Sequence, residues 1–173
     1  MKRSYFIAII SMIIFILVGC SSNKTKGFEF STDDYKTRLE EAISSTNDSN
    51  ITLKEVVINT EDEIKEEDEP TLATYFFTDS TGILYKEDEI SLVINELDLI
   101  SLGDSVYNLL RIFVGTVDNT LSMGERQKVI NELSFSTDKA NETVVKMATT
   151  ENYKFTYICN NETNNKIIRA EKK

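Results

Sequence analysis

Residues 104–117 read "DSVYNLLRIFVGTV", and they set what the rest of the chain has to build around. Val106, Leu109, Leu110, Phe113, Val114 and Val117 recur at the 3.6-residue spacing of a helix over more than three turns, which marks a central core helix. Just beyond it, Ser122 and Glu125 in "SMGE" stand at capping-box spacing. They open a second helix whose Val129, Ile130 and Leu133 face inward, so the two should form an αα-hairpin.

On both sides of the hairpin the apolar period changes to two. Upstream, "ITLKEVVIN" (51–59), "TLATYFF" (71–77), "ILY" (83–85) and "ISLVIN" (90–95) read as strands. In the last, Ile90, Leu92 and Ile94 share one face, and Ser91 and Asn95 the other. "TDSTG", Thr78–Gly82, is expected to turn the chain, with Asp supplying a local hydrogen bond and Gly a positive φ. Downstream, residues 143–171 read as three strands with turns near Glu151-Asn152 and Asn161–Asn165. Tyr153, Phe155, Tyr157 and Cys159 alternate onto one face, so Cys159 is expected as a buried, inert thiol with no evident cationic neighbour to activate it.

The N-terminal part of the body, "FEFSTDDYKTRLEEAISS" (28–45), carries a helix start. Ser31 is the N-cap, Asp34 stands at N3, and Phe30 and Tyr35 occupy the hydrophobic-staple positions. Tyr35, Leu39, Ala42 and Ile43 make its buried stripe. The fold expected is α+β: an antiparallel sheet of about six to seven strands packed on an N-terminal helix and a central αα-hairpin, an order that can be divided into two halves, each a helical element followed by a meander. That order of elements resembles small extracytoplasmic inhibitor and assembly-factor domains such as the β-lactamase-inhibitor-like lipoproteins, and the resemblance carries over no site residue.

Composition narrows the chemistry. The 173 residues include 40 % apolar and 28 % charged residues, ordinary for a folded domain, and the net charge is −10. A field of that sign repels phosphate backbones, so nucleic acid is not an expected partner. The chain has no His, which removes Ser-His-Asp, Cys-His and HExxH chemistry. Its two cysteines, Cys20 and Cys159, cannot build a Cys-rich zinc site. "EDEIKEEDE" (61–69) packs seven acidic residues before Pro70, yet lacks the alternating ligands and the Gly of a calcium loop. It reads as a solvated loop that blunts an edge strand. No metal, cofactor or catalytic residue is therefore assigned, and the chain is not expected to be an enzyme.

Chemistry is assigned only near the N-terminus. Lys2 and Arg3 precede a 14-residue apolar stretch, Tyr5–Val18, which is signal-peptide length and short of the roughly 20 residues of a membrane span. It ends in Leu17, Val18, Gly19 and Cys20, which resemble the lipobox of bacterial lipoproteins. The resemblance implies diacylglycerol transfer to the Cys20 sulfur and cleavage between Gly19 and Cys20 by the lipoprotein signal peptidase. Residues 1–19 would then be a signal peptide, 20–27 a lipidated cysteine and polar tether, and 28–173 one extracytoplasmic α+β domain. Loss of Lys2 and Arg3 leaves 17 basic against 29 acidic residues, a net −12.

The expected role is a non-catalytic binding module on the extracytoplasmic face of the cell membrane. Its expected partners are membrane lipid through the diacylglyceryl Cys20 and a protein or cationic peptide. Alternatives are an immunity or exclusion lipoprotein that sequesters a cationic peptide or a phage or plasmid component, a small carboxylate-dependent hydrolase, and the binding component of a transporter.

Overall fold

A computed structural model describes residues 27–59, 70–163 and 165–173. The elements run α1 (Thr32–Ser45), β1 (Glu55–Ile58), β2 (Ala73–Phe76), β3 (Gly82–Tyr85), β4 (Glu89–Ile94), α2 (Glu96–Leu102), α3 (Ser105–Val117), α4 (Met123–Leu133), β5 (Val144–Thr149), β6 (Tyr153–Cys159) and β7 (Lys166–Lys172). This is an α+β fold with one seven-stranded antiparallel sheet in the order β1-β2-β3-β4-β7-β6-β5. The second meander joins the first along β4 and β7, with Ile90 opposite Ala170 and Leu92 opposite Ile168. The two helix-then-meander halves thus share one sheet.

The central helix lies where its apolar stripe requires. Val106, Leu109, Phe113 and Val117 of α3 are buried, with α1 on one flank and α4 returning on the other. At Gly115 of α3 the Arg126 guanidinium of α4 lies over the helix, where a Cβ would stand 2.3 Å from it, so a larger residue there would have to displace that side chain. Strand alternation sends Tyr75, Ile83, Ile90, Leu92, Ile94, Phe155, Tyr157 and Ile168 to the helix-covered face. On the opposite face Leu84, Val93, Ile158 and Ile167 form a second apolar cluster.

The capping box expected at α4 forms, and the N-cap expected at Ser31 closes into one as well. Ser31 Oγ accepts from Asp34 N at 3.1 Å while Asp34 Oδ2 accepts from Ser31 N at 3.0 Å, and Ser122 and Glu125 repeat the exchange at α4. The staple is present as Phe30 stacked on Tyr35 at 5.8 Å. Backbone and side-chain hydrogen bonds from Ser31 hold the Asp34 carboxyl below its ordinary 3.8, and Ser122 holds Glu125 below its ordinary 4.5. A depressed folded pKa gives stability that is present above the unfolded value and is lost as pH falls through the folded one. Thermal unfolding between pH 6 and 2 should therefore show falling stability below about pH 4.5, the drop being smaller in Asp34→Asn and Glu125→Gln.

Three readings are corrected. The segment 96–102, between the strand expected to end at Asn95 and the helix expected from Asp104, forms a helix of its own, α2. Asn95 caps it by accepting from Leu97 N at 3.0 Å, and Gly103, with φ +51°, turns the chain into α3. In the β2–β3 turn, Thr78 Oγ1 accepts from Ser80 N and Thr81 N in the role given to Asp79, and Gly82 lacks a positive φ. Gly82 is required instead because a Cβ would come 2.9 Å from Tyr75 O. Finally, the strand read over 51–59 pairs as a strand only at Glu55–Ile58, since Ile51 turns into the core.

Candidate interaction surface

The chain enters the described structure at Gly27, packed against Glu87 in the β3–β4 turn. From that turn β4 runs six residues to Ile94, where α2 begins, so the entry and α2 lie at opposite poles roughly 20 Å apart.

The entry pole holds an open cleft of about 510 Å³, lined among others by Phe28, Phe30, Ile58, Leu72, Tyr85 and Glu87. Its aromatic wall is fixed from below. Phe28 stacks on Tyr153 at 5.8 Å, Tyr75 Oη donates to Thr32 O at 2.6 Å, and Arg38 sits 4.5 Å over the Phe30 ring. Burial, reinforced by neighbouring charges, pushes the Tyr85 phenol up to about 12, so it stays protonated and acts as a donor. Among the described lining residues Glu87 is the one carboxylate.

The far pole has a different character. On α2, Leu99 and Leu102 face the core, whereas Leu97 is 76 % and Ile100 83 % exposed, at i, i+3 spacing on the outward side. The helix is pinned by Asp98, whose Oδ2 accepts from Thr78 Oγ1 at 2.6 Å, Ser80 Oγ at 2.8 Å and Thr81 Oγ1 at 2.6 Å. Between Lys86 and Arg111 the sequence contains no Lys or Arg; exposed Asp104 follows α2, and exposed Asp79 sits between Thr78 and Ser80, which bond to Asp98. Two rigidly held aliphatic side chains among carboxylates suit a segment that brings apolar anchors and positive charge.

The next turn of α3 is bound to the loop after α1. Asp48 accepts from Asn108 Nδ2 at 2.7 Å and Ser105 Oγ at 3.1 Å, and Arg111 donates to Asn108 Oδ1 and Gln127 Oε1. The Asn108 bond does most to hold the Asp48 carboxyl below its usual value.

Of the residues singled out in the sequence, Gly19, Cys20 and the acidic run 61–69 lie outside the described residues. Cys159 is buried on the aromatic face as expected. The expectation of no cationic neighbour is wrong: Lys166, fully buried, donates from Nζ to Cys159 Sγ at 3.0 Å. Alternation could have found it, because Lys166 shares its parity with inward-facing Ile168 and Ala170.

Among the described residues no three His, Cys, Asp or Glu side chains are grouped to hold a metal, and no helix is long and apolar enough to cross a membrane. Compared with protein-family models, curated proteins and solved structures, the chain matches none.

Proposed function

We propose that this chain is a lipid-anchored lipoprotein of the extracytoplasmic membrane face, acting as a non-catalytic module that binds a cationic, partly apolar protein or peptide segment. The observation that carries the reading is Leu17-Val18-Gly19-Cys20 followed by a wholly polar run, Ser21–Gly27, that leads into one pole of the sheet. Two acyl chains on Cys20 supply stable anchoring where one gives only marginal binding. Seven residues reach at most roughly 25 Å when extended, which keeps the entry pole near the bilayer, with α2 at the other end of the sheet. The acidity of the domain favours capture of a basic partner by steering. An immunity or exclusion role is the version of this reading in which the partner is a harmful peptide.

Anchoring is tested by metabolic labelling with a clickable palmitate. The wild-type chain should carry label, migrate at the size of the cleaved form and sediment with membranes, and Cys20→Ala should lose the label and remain uncleaved. Label retained in the variant would sink the lipoprotein reading.

Binding is tested with a fluorescent Leu/Lys amphipathic peptide and an equal-length Leu/Glu control. The Leu/Lys peptide should bind and the control should not, with affinity falling as salt rises. Leu97→Glu/Ile100→Glu should weaken binding about tenfold or more, the equivalent of 1.4 kcal/mol. Thermal stability should stay within about 0.5 kcal/mol, because both side chains are exposed. Equal binding by the double variant would remove α2 from the proposal.

A further inference from the structure

At the α2 end of the sheet, where Lys166 pairs with Ile94, an amine and a thiol are enclosed together under the helices. Cys159 closes β6, Lys166 opens β7, and the two residues are direct cross-strand partners. Cys159 is 1 % and Lys166 0 % exposed, and Nζ stands 3.0 Å from Sγ. Nζ also donates to Asp138 O at 2.6 Å, while Tyr157, two residues before Cys159 on the same face, donates to Ser136 O at 3.3 Å. The pair therefore sits beneath the α4–β5 connection and holds it to the sheet. Burial first, then Cys159 beside it, keeps the Tyr157 phenol well above its ordinary value, so it stays protonated there.

We propose that Cys159 and Lys166 form a covalent modification site that closes to an Sγ–O–Nζ bridge under hydrogen peroxide. One peroxide takes the thiol to a sulfenic acid and releases one water. A second removes two electrons from the sulfenic acid and amine together. The oxygen stays between sulfur and nitrogen, and two further waters leave.

Geometry favours this product. An inserted oxygen spans the existing gap, whereas a direct S–N bond would have to close it. An amine already in contact also intercepts the sulfenic acid before it proceeds to the sulfinic state. The bridged nitrogen keeps one hydrogen, so its hold on Asp138 O weakens and the connection above it loosens. The proposal rests neither on lipid anchoring nor on binding at α2.

The test treats the full chain with hydrogen peroxide, digests it with trypsin and reads peptide masses. Untreated protein gives a peptide ending at Lys166. The bridged protein should resist cleavage there and yield residues 155–169 with the mass of one added oxygen less two hydrogens, restored to the original by dithiothreitol. Lys166→Met should abolish that product and send Cys159 to sulfinic and sulfonic acids. If Lys166→Met does not fold, Lys166→Arg, with its fold checked by circular dichroism, serves the same purpose. Exposed Met123 and Met147 report delivery of oxidant by becoming sulfoxides. With those two oxidised, a wild-type chain whose Cys159 is unmodified, sulfinic or in an intermolecular disulfide overturns the proposal.

Discussion

Phe113→Ala should lower the free energy of unfolding by about 3–5 kcal/mol, a third or more of the stability usual for a domain of this size. The ring is fully buried in α3 and meets Phe155 of β6 edge-on at 6.5 Å and 81°. Its removal costs both the transfer of the ring from water and the void left behind. The void is slow to collapse because α3 is held from three sides. α1 and α4 flank it, and the Asp48, Asn108 and Arg111 hydrogen bonds fix its first turns. Urea denaturation followed by far-ultraviolet circular dichroism measures the loss, with Ile100→Ala as an exposed control expected to change stability by less than about 0.5 kcal/mol. A loss under about 1 kcal/mol for Phe113→Ala would mean that α3 is not the centre of the core.

The same helix explains why much of the architecture could be read from the chain. An α3 stripe of six apolar residues has one period and one face, and the serines at 31 and 122 each carry an acidic residue three positions on. These are local signals, and the local structure follows them. The placement of β7 between β4 and β6 is not local. It depends on Ile90 meeting Ala170 and Leu92 meeting Ile168, residues about eighty positions apart, and no spacing in the sequence encodes that pairing. The second apolar cluster arises from the same event. Val93, Ile167 and Ile158 line up only once the two meanders have joined.

α2 escaped for a different reason. Leu97, Leu99, Ile100 and Leu102 do not define one face, because two of the four point outward. A seven-residue helix with a divided apolar pattern looks like a connection. The residues that break the periodic rule are also those at the proposed binding surface, which is where a conflict between pattern and burial is expected. Lys166 is the parallel case inside the core. A lysine on a buried face reads as an error of register until its amine is found against Cys159 and Asp138 O.

Asp98→Ala should cost about 2–4 kcal/mol and should act on α2 before it acts on the whole fold. One carboxylate oxygen accepts from Thr78, Ser80 and Thr81, so a single truncation strips a charged acceptor from three hydroxyls. Thr81 is fully buried, and its Oγ1 accepts from Asn95 N at 3.2 Å, the residue that caps α2. Water cannot replace the lost acceptor there, whereas the partly exposed Thr78 and Ser80 can be rehydrated. Asp98→Asn keeps an acceptor oxygen without the charge and should recover about half of the loss. Hydrogen exchange separates local from global effects: amides of residues 78–81 and 96–102 should exchange faster in Asp98→Ala, while those of α3 change only by the global loss. Loosening α2 should also weaken the Leu/Lys peptide, since ordering the helix must then accompany binding. If exchange rises uniformly across the sheet while α2 is no more affected than α3, the three hydroxyl bonds are part of the core and do not hold the binding surface in place.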